Sequence, residues 1–137
     1  MAARSFLDTN VLVYTDDRDA PDKQRIALAL IAGQRRAGTG VLSTQVLQEY
    51  FSAATTKLGV DAAVARRKVE LFARMELVEV SLASILGGID LHRLHGWSIW
   101  DALIVRAARD AGCGVLYSED AALRGAEGIE VVNPFAG

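Results

Sequence analysis

The chain has 137 residues, 51% of them hydrophobic and 23% charged, which is typical of one globular domain, so we predict a single domain over residues 1–137. Its net charge of −2 argues against a protein that binds nucleic acid through a broad basic surface. No apolar run approaches the ~20 residues that cross a membrane, and Asp8 interrupts the apolar region that a signal peptide would need, so we expect a cytoplasmic protein. The single cysteine, Cys113, has no partner for an intrachain disulfide, so we expect its thiol to be buried and inert.

The order of apolar runs, capping residues and glycines predicts strands that alternate with helices. In chain order these are a strand over residues 5–7, an apolar turn or short helix over 11–14, a helix over 21–36, a strand over 41–42, a helix from 43 or 44 that stops at 59, a helix over 61–75, a strand over 77–80, helices over 83–94 and 99–111, and strands over 115–117 and 129–132. Gly87 and Gly88 weaken the helix over 83–94, because glycine is a poor helix former. Short apolar strands alternating with helices are typical of a mainly parallel sheet covered on both faces, so we predict an α/β fold.

Four acidic residues lie beside apolar residues that we expect in the core: Asp8, Glu49, Asp101 and Asp120. A carboxylate held against a core is unfavourable unless something pairs with it, and a divalent cation pairs with several at once. Asp8 follows the first predicted strand and Asp120 follows the fourth. Ligands of parallel sheets bind beyond the carboxyl ends of strands, where the strand order reverses. If these two strands are neighbours, the carboxylates meet there, which predicts a metal-dependent hydrolase.

Most of these acids also have a structural explanation. An aspartate at a strand end, such as Asp8, caps turns, and Glu49 taken alone is typical of the solvated flank of a helix. Asp101 stands three residues after Ser98, which is the spacing of a capping box at a helix N-terminus. That end of a helix is positively polarised and also suits an anionic ligand, so a capping Asp101 is compatible with one that faces a site.

Five stretches carry a resemblance to a known family. They are FLDTNVLVY at 6–14, STQVLQEY at 43–50, LHRLHGWSIWDALI at 91–104, LYSED at 116–120 and VVNPF at 131–135. Together they resemble the PIN-domain ribonucleases and, within that family, the VapC toxins of VapBC toxin–antitoxin modules. The resemblance covers essentially the whole chain, and the Asp-Thr-Asn opening combined with Trp-Asp-Ala-Leu-Ile is its most specific part.

The resemblance implies a three-layer α/β/α fold whose five-stranded parallel sheet has the order 3-2-1-4-5, with the first and fourth strands as neighbours. It also implies a catalytic and metal-binding set of four acids with two supporting polar residues: Asp8, Glu49, Asp101, Asp120, Asn10 and Ser118. The fourth acid varies among family members, so the choice of Asp120 over Glu119 stays open.

The reaction implied is hydrolysis of an RNA phosphodiester bond, assisted by Mg²⁺ or Mn²⁺. Mg²⁺ prefers a few carboxylates together with waters, and an all-oxygen site without histidine or cysteine disfavours zinc. Asp8 and Asp101 are expected to be direct ligands. Glu49 either binds metal or orients the attacking water, and Asp120 binds a second ion or holds water. Both one and two metal ions fit the sequence.

Substrate and partner contacts are less specific in the sequence. Four arginines are candidates to contact RNA phosphate, although the default explanation of each is an ordinary solvated surface charge: Arg4, Arg93, Arg106 and Arg124. Trp97 and Trp100 either stack on bases or pack in a core or dimer contact. The resemblance implies a homodimer and a VapB-like antitoxin whose tail lies in an apolar groove, with a basic side chain reaching the acids.

Three other functions fit parts of the sequence. A phosphatase of the haloacid dehalogenase type would use Asp8 as nucleophile, but it needs a second aspartate where this chain has Asn10. A PIN-domain ribonuclease that processes RNA without a toxin role has the same site. The third alternative is a non-catalytic RNA- or protein-binding module, and the presence of all four acids argues against it. The sequence leaves the RNA target open.

Overall fold

Five short strands form one all-parallel sheet in the computed structural model, which describes residues 3–136. The strands are β1 (Ser5–Leu7), β2 (Gly40–Ser43), β3 (Glu76–Val78), β4 (Val115–Tyr117) and β5 (Glu130–Val132). Their order is β3-β2-β1-β4-β5, which confirms the predicted order. The predicted domain bounds of 1–137 include Met1, Ala2 and Gly137, which lie outside the described residues.

Six helices connect the strands and cover the sheet. They are α1 (Thr9–Tyr14), α2 (Pro21–Ala37), α3 (Thr44–Thr56), α4 (Ala62–Phe72), α5 (Leu82–His95) and α6 (Ile99–Asp110), with a single 3₁₀ turn at Ala121–Leu123. The Ser43 hydroxyl accepts a hydrogen bond from the backbone N–H of Val46 and so caps α3, because the first N–H groups of a helix have no partner within it. Among the described residues, no helix is both long enough and apolar enough to cross a bilayer.

Three predicted bounds around the third strand differ from the structure. The helix predicted to reach residue 75 ends at Phe72, because the backbone N–H groups of Arg74 and Met75 bond to carbonyls three residues earlier and form a tight turn. β3 consequently begins at Glu76 and ends at Val78, one residue before the predicted start and two before the predicted end.

α5 runs unbroken through Gly87 and Gly88, although glycine lowers helix stability. The reason lies in its packing against α6. A Cβ atom at Gly87 would overlap the guanidinium of Arg106, and one at Gly88 would crowd the side chain of Leu103. The two glycines therefore let the helices approach closely. The sequence analysis recognised only their unfavourable effect on helix stability.

The core lies on both faces of the sheet. β1 is fully buried, with Phe6 and Leu7 at 0% exposure, as expected for a strand covered by helices on both sides. The ring of Tyr50 on α3 is also fully buried and meets the ring of Phe72 edge to face, with the ring centroids 5.1 Å apart, an arrangement that aromatic pairs favour. Cys113 is buried as predicted, and burial raises the pKa of its thiol.

The sheet brings two chain segments together at its carboxyl edge. Leu7 of β1 stands opposite Tyr117 of β4, and the backbone N–H of Asp8 donates to the Tyr117 carbonyl at 3.0 Å. The residues that follow β1 and those that follow β4 therefore leave the sheet side by side, at the point where the strand order reverses.

Candidate active site

Asp8 is the most buried of the four acids, with 7% of its surface exposed. Its carboxylate accepts hydrogen bonds from the Thr9 backbone N–H at 2.7 Å and from the Ser118 hydroxyl at 2.7 Å, with the Asn10 amide at 3.4 Å. It thus caps α1, as the structural explanation of this residue required, and it is also fixed from β4. These bonds hold both carboxylate oxygens without supplying a positive charge.

The electrostatics of Asp8 show that other acids lie close to it. Burial raises the pKa of its carboxyl, and the negative charges of Glu49 and Asp120 raise it further, against the hydrogen bonds from Ser118 and Thr9. Like charges near a buried carboxyl favour its protonated form. The predicted neighbours of Asp8 are therefore within electrostatic reach of it.

Asp101 faces the same place from the start of α6. Its backbone N–H donates to the Ser98 hydroxyl at 3.1 Å, so the predicted cap is formed. Burial raises the pKa of the Asp101 carboxyl to about 6, with a hydrogen bond to Asp120 and the charges of Asp120 and Asp8 adding to the effect and Ser98 opposing it. Asp101 therefore takes part in the cap at the start of α6 and also faces the site.

The structure separates Asp120 from its acidic neighbour. The Asp120 carboxyl interacts with Asp101, and its backbone N–H donates to the Ser118 hydroxyl at 3.0 Å. The Glu119 carboxylate instead accepts from the Tyr14 hydroxyl at 2.7 Å and the Lys23 ammonium at 2.6 Å. Burial alone raises the pKa of Glu119, but these two partners hold it below its ordinary value. Glu119 is thus ion-paired with Lys23, whereas Asp120 is the acid of the two that lines the cavity with Asp8 and Asp101.

Glu49 is held on α3 by two donors. The Thr9 hydroxyl donates to its Oε1 at 2.6 Å, and the Gln45 amide donates to its Oε2 at 3.3 Å. Its carboxylate lies close enough to raise the pKa of Asp8, but Glu49 is not one of the described residues that line the cavity between the other acids. Thr9, which donates to Glu49, does line this cavity. Thr9 was not predicted as a site residue.

The other three acids line one cavity of about 440 Å³. Asp8, Asp101 and Asp120 line it together with a fourth acid, Asp17, and Lys57 reaches it from the end of α3. A larger cavity of about 670 Å³ adjoins it and shares Lys57, but the raised pKa values are found in the smaller one, and such shifts mark functional sites. Within residues 3–136, no three acidic, histidine or cysteine side chains stand close enough to form a ready-made metal ligand set. The acids share a cavity without being gathered around one point.

The predicted supporting residues lie at the site, whereas Arg4 lies away from it. Asn10 accepts from the Glu119 backbone N–H at 3.2 Å and lies 3.4 Å from the Ser118 hydroxyl, so both predicted supporting residues, Asn10 and Ser118, lie beside Asp8. Arg4 precedes β1 at the opposite edge of the sheet and pairs with Glu76. Its placement is inconsistent with contact to a phosphate at this cavity.

Arg106 is likewise engaged elsewhere, because it pairs with Asp110 at 2.8 Å on α6. Lys57 is the basic residue among the described residues that line the acidic cavity, and none of the four predicted arginines lines it. The sequence carries no signal for Lys57, whose position depends on where α3 ends. Trp97 stacks on His95 with centroids 4.2 Å apart, and Trp100 is 61% exposed.

The family model of the PIN domain matches residues 5–128, whereas no curated protein matches the chain. VapC20 of Mycobacterium tuberculosis, described as a sarcin–ricin loop cleaving toxin, is similar in structure with a TM-score of 0.70 and 19% identity, over 93% of this chain and 98% of that one. A toxin–antitoxin complex from Klebsiella pneumoniae has a TM-score of 0.69 and 19% identity, over 95% and 97%. VapBC2 from Rickettsia felis, bound to a DNA fragment from its promoter, has a TM-score of 0.65 and 17% identity, over 94% and 97%. At these identities the likeness shows the fold alone.

Proposed function

Because this chain belongs to the PIN-domain family, we propose that it is a metal-dependent endoribonuclease and the toxin of a VapBC-type toxin–antitoxin pair. The proposal rests chiefly on one observation: Asp8, Asp101 and Asp120 line a single cavity, and the pKa values of the first two are raised. A toxin and a toxin–antitoxin complex are among the similar structures, which supports the toxin role. We propose that residues 1–137 act as one domain in the cytoplasm.

The residues present fit Mg²⁺ or Mn²⁺ by their chemistry. The donors at the cavity are carboxylate oxygens, which these cations prefer, and crowding of Asp8 and Asp101 with other acids favours a cationic partner. Asp8, Asp101 and Asp120 would hold the metal, with Glu49 as ligand or base. Such a metal, when bound, stabilises developing charge on phosphate and lowers the pKa of a coordinated water.

The protein's own residues orient these acids. Ser118 and the Thr9 backbone fix Asp8, and the Thr9 hydroxyl fixes Glu49, so few rotations remain to be lost when substrate binds. We propose that Lys57 contacts a phosphate of the RNA, because a polyanion that enters an acidic cavity needs a local cation.

Partner surfaces support the proposed antitoxin and homodimer. An apolar groove of about 360 Å³ lies between α3 and α4, lined by Leu47, Phe51 and Val69 among others. We propose this groove for the antitoxin, because its apolar lining on α3 and α4 suits the apolar side chains of a tail. α5 leaves four apolar residues exposed at helical spacing for a second copy of the chain: Leu82, Ile85, Leu86 and Ile89.

The proposal is tested by RNA cleavage with Mg²⁺ or Mn²⁺. Total RNA is incubated with the wild type, with Asp101→Asn and with a matched control, Asp90→Asn, which changes an exposed aspartate on α5. We expect discrete cleavage sites with the wild type and the control, and none with Asp101→Asn or with a chelator. Release of phosphate from small esters without RNA cleavage would favour the phosphatase, and neither activity would favour a binding module.

A further inference from the structure

Gln45 joins two helices that carry the candidate site. It lies on α3 and is 6% exposed. Its Nε2 donates to Glu49 Oε2 at 3.3 Å and to the backbone carbonyl of Trp100 at 3.1 Å. Trp100 immediately precedes Asp101. One buried amide therefore links the carboxylate of Glu49 to the first turn of the helix that bears Asp101.

The chemistry of its two partners fixes the orientation of this amide. A carboxylate and a backbone carbonyl only accept hydrogen bonds, so the nitrogen of Gln45, rather than its oxygen, must face them. Its Oε1 then points the other way and has no hydrogen-bond partner among the described residues. A buried oxygen without a partner lowers stability, so packing alone does not account for a glutamine at this position.

We propose that Gln45 is a positioning residue, which holds the Glu49 carboxylate in a fixed place relative to Asp101. This inference rests on the proposed function of the site. Thr9 holds one oxygen of Glu49 and Gln45 holds the other, so the carboxylate is restrained on both sides. Without the Gln45 donor, the flexible side chain of Glu49 leaves its position near Asp8, and the site loses a correctly placed acid.

Gln45→Leu removes both donors and keeps the volume of the side chain. RNA cleavage by this variant is expected to fall by about 10- to 100-fold in kcat, the usual effect of losing a residue that orients a site acid, with KM changed by less than about two-fold. Gln48→Leu is the matched control, because it makes the same change at an exposed position on the same helix, and its kcat is expected to stay at the wild-type value. Gln45→Glu keeps the shape but replaces the donor by an acceptor, so full activity in that variant would overturn the proposal.

A double-mutant cycle tests whether Gln45 acts through Glu49. Unfolding by urea is measured without metal for the wild type, Gln45→Leu, Glu49→Leu and the double variant, and kcat is measured for the same four proteins. We expect the effect of Gln45→Leu to shrink in the Glu49→Leu background in both measurements, because the contact is then already lost. Equal effects in both backgrounds would overturn the proposal. If the wild type cleaves no RNA, the proposed function fails, while the unfolding cycle still decides whether the two residues are coupled.

Discussion

Two groups of carboxylates lie near α1, and they differ in what surrounds them. Asp16, just after α1, accepts from the Lys68 ammonium at 2.8 Å and from the Tyr50 hydroxyl at 2.6 Å. Asp8, just before α1, accepts hydrogen bonds from neutral groups and lies near other acids. Among the ion pairs formed by residues 3–136, none includes Asp8, Asp101 or Asp120.

The difference separates a structural carboxylate from one available for chemistry. Lys68 also donates to the Thr15 hydroxyl at 2.7 Å, so the network around Asp16 ties the end of α1 to α3 and α4. Its charge is balanced within the fold. Asp8, Asp101 and Asp120 form no such ion pair, and the raised pKa values of Asp8 and Asp101 indicate a site that favours an added cation.

Asp8→Asn provides the largest expected effect. We expect kcat for RNA cleavage to fall by at least about 1,000-fold, which corresponds to roughly 4 kcal/mol at the transition state. Stability without metal is expected to stay equal or to rise, because the change relieves repulsion with Glu49 and Asp120. Cleavage kinetics and a thermal melt without metal measure the two effects. A large loss of stability would make Asp8 a structural residue like Asp16.

Asp16→Asn is expected to behave in the opposite way. It leaves Lys68 without its carboxylate in a largely buried place, and the loss of one member of such a pair destabilises a protein by about 2–4 kcal/mol. The kcat of the folded protein is expected to remain within about three-fold of wild type. Urea unfolding together with cleavage kinetics at low temperature checks this. Unchanged stability with abolished cleavage would contradict the distinction between the two groups.

The fold and most of the candidate site acids were predicted from the sequence, whereas the contacts that distinguish neighbouring acids were not. The strand order and the meeting of Asp8 with Asp120 follow from alternating elements and a family resemblance, since strand-end acids share one edge of a parallel sheet. The sequence does not show whether Glu119 or Asp120 lines the cavity. That depends on the hydrogen bonds that Tyr14 and Lys23 donate to the Glu119 carboxylate. Such contacts join residues that are far apart in the chain, and no local pattern encodes them.

Gln45 and Lys57 show the same limit at the site itself. Gln45 has the appearance of an ordinary helix residue until α6 places the Trp100 carbonyl against it. Lys57 matters only because α3 ends beside the acidic cavity. Among the arginines predicted to contact RNA, Arg4 and Arg106 pair with acidic residues outside the cavity.

The pH dependence of stability without metal sharpens the comparison at a smaller scale. The pKa of Asp101 is about 6 in the folded protein against 3.8 for its ordinary value, so the folded state binds the proton more tightly. Its contribution to stability is therefore complete below pH 4 and is lost as pH rises through 6. Because Asp101 is partly exposed, we expect on the order of 1 kcal/mol. Urea unfolding at pH 5 and pH 7 measures it, and the difference between the two pH values is expected to be smaller in Asp101→Asn than in the wild type.

Lys57→Gln is expected to have the smallest effect. We expect KM for RNA to rise by about five-fold with kcat unchanged, and the salt dependence of RNA binding to become shallower by roughly 0.7 in the log–log slope, the value for one phosphate contact on a single strand. Arg36→Gln is the control, because it removes an exposed charge near the end of α2, at the opposite edge of the sheet. If both variants change KM equally, Lys57 contributes only to the overall charge.

Calorimetric titration of the metal-free protein with Mn²⁺ at pH 6, in two buffers of different ionisation enthalpy, tests whether the acids at the cavity bind a divalent cation. The acids at the cavity predict a saturable site that releases protons on binding, because Asp101 is half protonated near pH 6 and metal binds the deprotonated form. Asp101→Asn should weaken the binding, whereas Asp16→Asn should not. Equal Mn²⁺ affinity in the wild type and Asp101→Asn, or no saturable binding at all, would contradict the account.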